Sequence, residues 1–489
     1  MVSFNAVPTD LLVPFVAIEI DGSQASQGPG LQPYTGLVLG QRLAAGTVPQ
    51  LEPTLITSAE QAGDAFGRGS QLHGMALRLF QNARLTAFWF VGLDDPAGAS
   101  AQGSLAFTGA ATAGGTVYLY VAGRRLQVGV LETETAATIA AAVADEINAD
   151  DSLPVTALAV AGTVSVTSRH AGVIGNDIDL RVNYYQGERL PEGVGLTVTA
   201  VGAATAGTGS PDVAQVWPIL GDTHYNVWAV GDSSAANLTA LHTELASRWG
   251  PLDQREGVAC LGARGDFASL ITLGDGQNSR HLSIMGAHDS PTPPWEWAAA
   301  VAGVVAEHGK ADPARPFQTL PLVGVLPPES TERFDLQERD LLLRDGIATY
   351  TVDASGVVRV NRLVTTEQET PSGAPTTAFR DVNTLLTLSY LRWSARTTIL
   401  GRYARHKLAN DGTTFGAGQK VVTPNLMRAE LLNLFRAWEE LGLVEGFEQF
   451  QEMLVVQRSS TDPNRLDVLM PPDLVNQFRV AGIQIQFLL

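Results

Sequence analysis

A single cysteine in 489 residues, Cys260, excludes an internal disulfide framework and any cysteine-based zinc cluster. Its setting, EGVACLGA, has the pattern of an apolar strand, so the thiol reads as inert core and not as a nucleophile. Bases are scarce too. With 32 of them against 50 acids the net charge is -18, which argues against wrapping DNA or lying on an anionic membrane and favours solubility. No run approaches the roughly 20 apolar residues that a transmembrane helix needs. The start, MVSFNAVPTD, lacks the basic and apolar regions of a signal peptide, so synthesis in a cytoplasm and no membrane insertion are expected. What remains, 45% hydrophobic and 17% charged residues, is ordinary globular composition, and the length suggests three or so domains at roughly 150 residues each.

Along the chain, two stretches rich in Ala, Gly and Ser, DDPAGASAQG (94–103) and AVGAATAGTGSPD (200–212), read as linkers around a block of their own. Within the block, TVYLYVAGRRLQVGV alternates like a hairpin turning at Gly123, and ATIAAAVADEINA puts Ile139, Val143 and Ile147 on one helix face. Strands VTALAV, TVSVTSR and DIDLRVNYY follow, so 97–210 is expected to be a small inserted α+β domain. Before it, Ser58 with Gln61 fits a capping box and Ser70 can cap a second helix, ahead of the strand AFWFVGL. After it, YNVWAVG, EGVACLGA and HLSIMGA alternate with amphipathic helices, the signature of a largely parallel sheet covered on both faces. The body at 34–96 and 211–326 is therefore expected to be α/β. From 327 to 477 a helix, a hairpin with a DASG tip, a long helix at about 377–408, a second from Pro424 to about Leu443, and the strands QFQEMLVVQR and RLDVLMP read as a C-terminal α+β domain.

Chemistry is thin. Gly231-Asp232-Ser233-Ser234 directly follows a strand, the geometry of an exposed nucleophile, so a serine hydrolase using Ser233 is one reading. The plainer one is that Asp232 or Ser233 caps the next helix, and a closing glycine is missing because position 235 is Ala. FGRGSQLHG has neither G-x-G-x-x-G spacing nor the lysine of a phosphate loop. The eight histidines show no metal-ligand spacing, and Asp150, Asp151, Asp177 and Asp179 lack that of a calcium loop, so no catalytic, cofactor or metal residues are assigned. A glycan-binding role for the inserted block would rest on Tyr118, Tyr120, Tyr184 and Tyr185, and an exterior spacer is the simpler account. One charged feature stands out: Arg392, Arg396, Arg402, Arg405 and Lys407 form a basic stripe that either meets an acidic partner or pairs with acids of its own domain such as Glu439, Glu440 and Glu445.

Both ends of the chain are apolar and alternate with period two. Val16, Ile18 and Ile20 share one face near the start, where Pro14 suits an edge strand, and Ile483, Ile485 and Phe487 share one face of the closing VAGIQIQFLL, which carries no charged residue. Composition alone favours both ends completing the protein's own sheet. The alternative is donation of each arm to a neighbour's sheet.

The segments VPTDLLVPFVAIEIDGSQA, FGRGSQLHGMALRLFQNA, RPFQTLPLVGVLPP, FDLQERDLLLRDGIATYTVD and RLDVLMPPDLVNQFRVAGIQIQFLL, with GNDIDLRVNYY closing the inserted block, resemble the tail sheath proteins of contractile bacteriophages, of the Mu-like type. The resemblance spans nearly the whole chain. It implies a non-enzymatic structural subunit that polymerises as stacked hexameric rings around a tail tube and contracts to drive the tube through the host envelope during genome ejection. It further implies a virion-tail location, the tail tube, baseplate and tail terminator proteins as partners besides self, and no cofactor or nucleic acid. The N-terminal extended arm would lie in 1–33, the outer domain at 97–210, the inner domain at 327–477 and the C-terminal β arm at 478–489, with the basic stripe as candidate tube-facing surface.

Overall fold

In a computed structural model of the chain, residues 32–488 apart from Leu85 and Ala417 are described. The expected N-terminal arm residues Val16, Ile18 and Ile20 lie outside the described residues. Contacts divide the chain into two units, one made of Pro33–Tyr390 with Asn476–Leu489 and the other centred on Leu391–Val475.

The larger unit begins with strand β1 (Thr35–Gln41), short strand β2 (Thr54–Ile56), helices α1 (Ala59–Phe66) and α2 (Gln71–Asn82), and strand β3 (Ala87–Leu93). Local chemistry sets the helix starts. Ser58 accepts from Gln61 N and Ser70 from His73 N, while the Gln61 side chain reaches one residue further back than a capping box requires, to Thr57 N at 2.9 Å.

The inserted block holds strands β4 (Ser100–Gly109), β5 (Gly115–Val121) and β6 (Arg124–Val130), helix α3 (Ala136–Ala149), and strands β7 (Val155–Val160), β8 (Thr163–Ala171), β9 (Leu180–Val182) and β10 (Val194–Thr199). They form an antiparallel sheet of order β10-β4-β8-β7 and a second of order β6-β5-β9. The β5–β6 hairpin turns through Ala122 and Gly123, both with positive φ, as a two-residue turn requires. Helix α3 buries Ile139, Val143 and Ile147, the stripe its sequence spacing predicts.

The two small-residue stretches are not linkers. Ser100–Gly103 already belongs to β4, Gln102 bridges to Thr205, and a Cβ on Gly98 would lie 1.8 Å from Thr208 O. Glycine and alanine are there because the two connections run against each other backbone to backbone.

The chain then returns to the first sheet through β11 (Val227–Val230), α4 (Ala235–Trp249), β12 (Val258–Ala263), α5 (Phe267–Asp275), β13 (Leu282–Gly286), α6 (Pro294–Ala311), α7 (Leu336–Arg344), β14 (Ile347–Val352) and β15 (Val358–Arg362). The eight strands lie in the order β15-β14-β13-β12-β11-β1-β3-β2, parallel except at the two edges. Hairpin β14–β15, expected in the C-terminal domain, is thus the far edge of the main sheet. Alternate residues of the central strands feed two cores, as a sheet covered on both faces demands. Val38, Phe90, Ala229 and Cys260 pack with α2 and α6, whereas Leu37, Leu39, Trp228 and Leu261 pack with α4, α5 and α7. Burial raises the Cys260 thiol to about 12, in keeping with an inert core group.

Helix α6 is apolar all round and buried almost throughout, yet it carries Glu296, only 1% exposed. Two guanidiniums flank that carboxylate: Arg78 of α2 at 2.6 Å and Arg124 of β6 at 3.3 Å. One buried acid therefore ties the inserted block to the body.

The smaller unit contains the end of helix α8 (Val382–Tyr403), strands β16 (Lys407–Leu408) and β17 (Val421–Val422), helix α9 (Pro424–Glu440), strand β18 (Val444–Glu445), helix α10 (Phe447–Met453), and strands β19 (Val455–Arg458), β20 (Leu466–Leu469) and β21 (Asp473–Leu474). Of the segment expected as one strand, QFQEMLVVQR, the second half is strand β19 as expected, whereas the first half belongs to α10, because Phe447 and Phe450 sit three apart and both meet Phe435, Phe450 stacking on it at 4.1 Å. Trp438 completes this small core and donates to Ser394 Oγ at 2.8 Å.

Candidate functional site

Strands β1 and β11 mark the point where the order of the main sheet reverses, which in open parallel sheets is where ligands bind, beyond the strand ends. Here the protein's own side chains fill that place. Gln41 N donates to Gln71 Oε1 at 2.7 Å, and Gln71 Nε2 donates to Gly231 O at 2.8 Å. From the inserted block, His170 accepts from Gln71 N at 2.9 Å and meets Asp95 at 2.6 Å, while Gln41 Nε2 donates to Asp95 and to Ala171 O. Burial pushes the Asp95 carboxyl up, but the hydrogen bonds from His170, Ala171 N and Gln41 outweigh it and hold the group below the ordinary carboxylate range. A Cβ on Gly231 would lie 2.5 Å from Gln71 Nε2, so the glycine is required by the plug.

Next to it, Asp232 Oδ1 accepts from Ser234 N at 2.7 Å, which closes a turn ahead of α4; the N-cap is Ser234, without a side-chain capping bond, so neither Asp232 nor Ser233 caps the helix as expected. Ser233 is half-buried, and among the described residues no histidine hydrogen-bonds it. Nor, among the described residues, does any group of three His, Cys, Asp or Glu side chains have metal-binding geometry. No described helix is long and apolar enough to cross a membrane.

The tyrosines of the inserted block come together around one acid. Tyr120, Tyr184 and Tyr185 have ring centroids 4.9–5.9 Å apart, Tyr120 Oη donates to Glu188, and Arg125 pairs with Glu188 at 2.7 Å while lying over Tyr118. Tyr184 Oη donates to Pro327 O at 2.7 Å, so the cluster braces the block against the body.

The basic stripe is partly spoken for. Arg402 forms an ion pair with Glu430 of α9, which also accepts from Tyr403 Oη at 3.0 Å; burial first, then that hydrogen bond, pushes the Tyr403 hydroxyl up to about 12. Arg392 and Arg396 carry interactions of their own, and Lys407 Nζ donates to Gln419 Oε1 at 2.8 Å. Glu430, not Glu439, Glu440 or Glu445, is the partner of Arg402. A signal for it was present, since Glu430 falls between Met427, Leu431 and Leu434 on the buried face of α9, where an acid needs a partner.

The terminal ribbon differs from a strand. Residues 480–488 form no ladder among the described residues, and Ile483, Ile485 and Phe487 are 82%, 84% and 78% exposed. Period two is present in the sequence, but a strand exists only with a partner. In the smaller unit the β19–β20 hairpin consists of two paired strands whose outer edges are open among the described residues, with Val455, Val468 and Leu469 exposed. A two-stranded ribbon is marginal alone and gains from a further strand.

Comparison with known proteins matches residues 206–366 to the phage tail sheath protein central domain and residues 374–487 to the phage tail sheath C-terminal domain. The chain is 40% identical, over all of both sequences, to the Mu-like prophage FluMu tail sheath protein of Haemophilus influenzae. Among solved structures it is similar to the sheath complex of an extracellular contractile injection system, PVC, in the contracted state, with a TM-score of 0.50, 9% identity and 98% of each chain covered. It is also similar to the sheath tail protein of Desulfitobacterium hafniense, with a TM-score of 0.49, 12% identity, and 95% and 97% of the two chains covered. A full-length relative at this identity, together with both sheath domains in their order, means that the chain belongs to the phage tail sheath protein family.

Proposed function

We propose that the chain is the polymerising subunit of a contractile tail sheath: hexameric rings stack around the tail tube and shorten to drive the tube through the host envelope. The observation that carries this reading is the C-terminal ribbon, whose apolar residues stand in solvent in the single chain. Its occupant site is the open edge of β19–β20 in a neighbouring copy, with Ile483, Ile485 and Phe487 filling alternate pockets. Residues 11–21 serve as a second donated arm through Val16, Ile18 and Ile20. Folding takes place in the host cytoplasm, and the finished sheath, in the virion tail, meets the baseplate at one end and the tail terminator at the other.

Shortening needs no nucleotide. An assembled state held by a kinetic barrier relaxes to one with more contact between subunits, while the arms keep neighbours linked. The test is negative-stain electron microscopy of the purified protein: striated hollow tubes or six-fold rings support the reading, and dispersed single chains at all concentrations sink it.

The tube-facing surface is assigned to the basic stripe, Arg392, Arg396, Arg402, Arg405 and Lys407. Because Arg402 is committed to Glu430, the informative positions are Arg405 and Lys407, both exposed. Changing both to Glu should lower co-sedimentation with purified tubes at least about fivefold at low salt, as loss of contacts between unlike charges predicts. Binding equal to that of the unaltered protein would remove the stripe from the interface.

A further inference from the structure

The ribbon does not leave the molecule at random. Phe478 and Val480 are 74% and 85% exposed, yet the Arg479 side chain between them is only 14% exposed. Its Nη2 meets Asp381 at 2.9 Å and Asn383 Oδ1 at 3.4 Å, and its Nη1 donates to Gln318 Oε1 at 3.2 Å. Gln318 in turn donates to the carbonyl of Phe478 at 3.3 Å.

Two of the residues that receive Arg479 are held in place without it. Asp381 takes a two-pronged contact from Arg362, at 2.9 and 2.7 Å, and Asn383 Nδ2 donates to the carbonyls of Pro313 and Arg315 at 2.9 and 2.8 Å. With Gln318 they form a socket of side chains from two chain segments. Asp381 is neutralised by Arg362 already, so Arg479 adds a second cation beside one carboxylate, and its own Nε is buried without a partner. Such an arrangement contributes little to the stability of the body. Beyond it come Val480, Ala481 and Gly482, and a Cβ on Gly482 would meet nothing within 4 Å.

We infer that Arg479 is the positioning residue of the C-terminal arm: seated in the Gln318, Asp381 and Asn383 socket, it fixes where the arm leaves the body, and Val480, Ala481 and Gly482 form the pivot about which it swings to a neighbouring copy. This deepens the arm-donation reading and rests on it. Fixing the root shortens the free tether, which raises the effective concentration of the arm at the acceptor edge and makes a pull on the arm bear on the body.

Limited trypsin digestion reads the docking directly, because cleavage after Arg479 requires its side chain to leave the socket. In the unpolymerised protein that bond should be cut at least about tenfold more slowly than the one after Arg465, which is 67% exposed. Gln318→Ala should remove most of that protection. Arg479→Ala should keep the melting temperature of the unaltered chain and polymerise poorly, with Arg479→Lys in between. Equal cleavage at the two arginines, or full polymerisation of Arg479→Ala alongside a failed deletion of residues 484–489, overturns the anchor and leaves arm donation standing. If the deletion polymerises normally, arm donation fails and the anchor with it.

Discussion

Removal of residues 484–489 leaves a folded chain that no longer polymerises. The segment makes no ladder among the described residues, so its loss should not change the unfolding free energy by more than about 0.5 kcal/mol, the range for surface changes. In an assembly the same residues would contribute several ladder hydrogen bonds at about 1 kcal/mol net each. Burial of Ile485 and Phe487 would add roughly 2 kcal/mol apiece. Part of this is spent on ordering the arm, but the sum repeats at every subunit, so a loss of several kcal/mol per link separates tubes from single chains. Sedimentation velocity and electron microscopy of the deletion check the outcome. Normal tubes would refute strand donation, and an unfolded product would place the ribbon inside its own subunit.

Glu296→Ala should cost about 3–5 kcal/mol, a large share of a stability of roughly 5–15 kcal/mol. The change does more than delete a contact. It leaves Arg78 and Arg124, 11% and 13% exposed, facing one another with no carboxylate between them. Burial already depresses the Arg124 guanidinium below its ordinary range and Arg78 acts in the same direction, while Glu296 opposes both. Glu296→Gln keeps the shape and should recover part of the loss. Replacing all three with apolar residues of similar volume should recover most of it, as buried ion groups often allow. Urea unfolding measures all three variants, and an unchanged midpoint for Glu296→Ala would show that the triad does not hold the inserted block to the body.

Period and capping were the legible parts of this fold. Runs such as YNVWAVG and EGVACLGA are apolar on both faces, which only a strand covered on both sides requires, and Ser58 and Ser70 announced their helices. Partners distant in sequence were not legible. Nothing in IATYTVDASGVVRV says whether the hairpin extends the first sheet or starts another, since both choices bury the same residues. Gly98 and Thr208 look like flexible linker by composition, whereas their composition answers a close crossing that only the folded chain reveals. At the candidate site the alternation of Ile483, Ile485 and Phe487 was plain, and its exposure was not, because exposure depends on how distant parts of the chain pack. Arg479 does carry a signal in the sequence, since a lone arginine between Phe478 and Val480 in an apolar tail calls for a group inside to receive it.

The connections by which the inserted block departs and returns run side by side, Ala99 N donating to Thr208 Oγ1 at 3.0 Å and Thr208 N to Ala99 O at 3.2 Å. A module whose two ends lie that close together can be enlarged, trimmed or exchanged for a foreign one without reordering the sheet beneath it. The same geometry makes 97–210 a natural place for the chain to acquire new sequence, with Gln41 and Gln71 marking the seat that any replacement must cover.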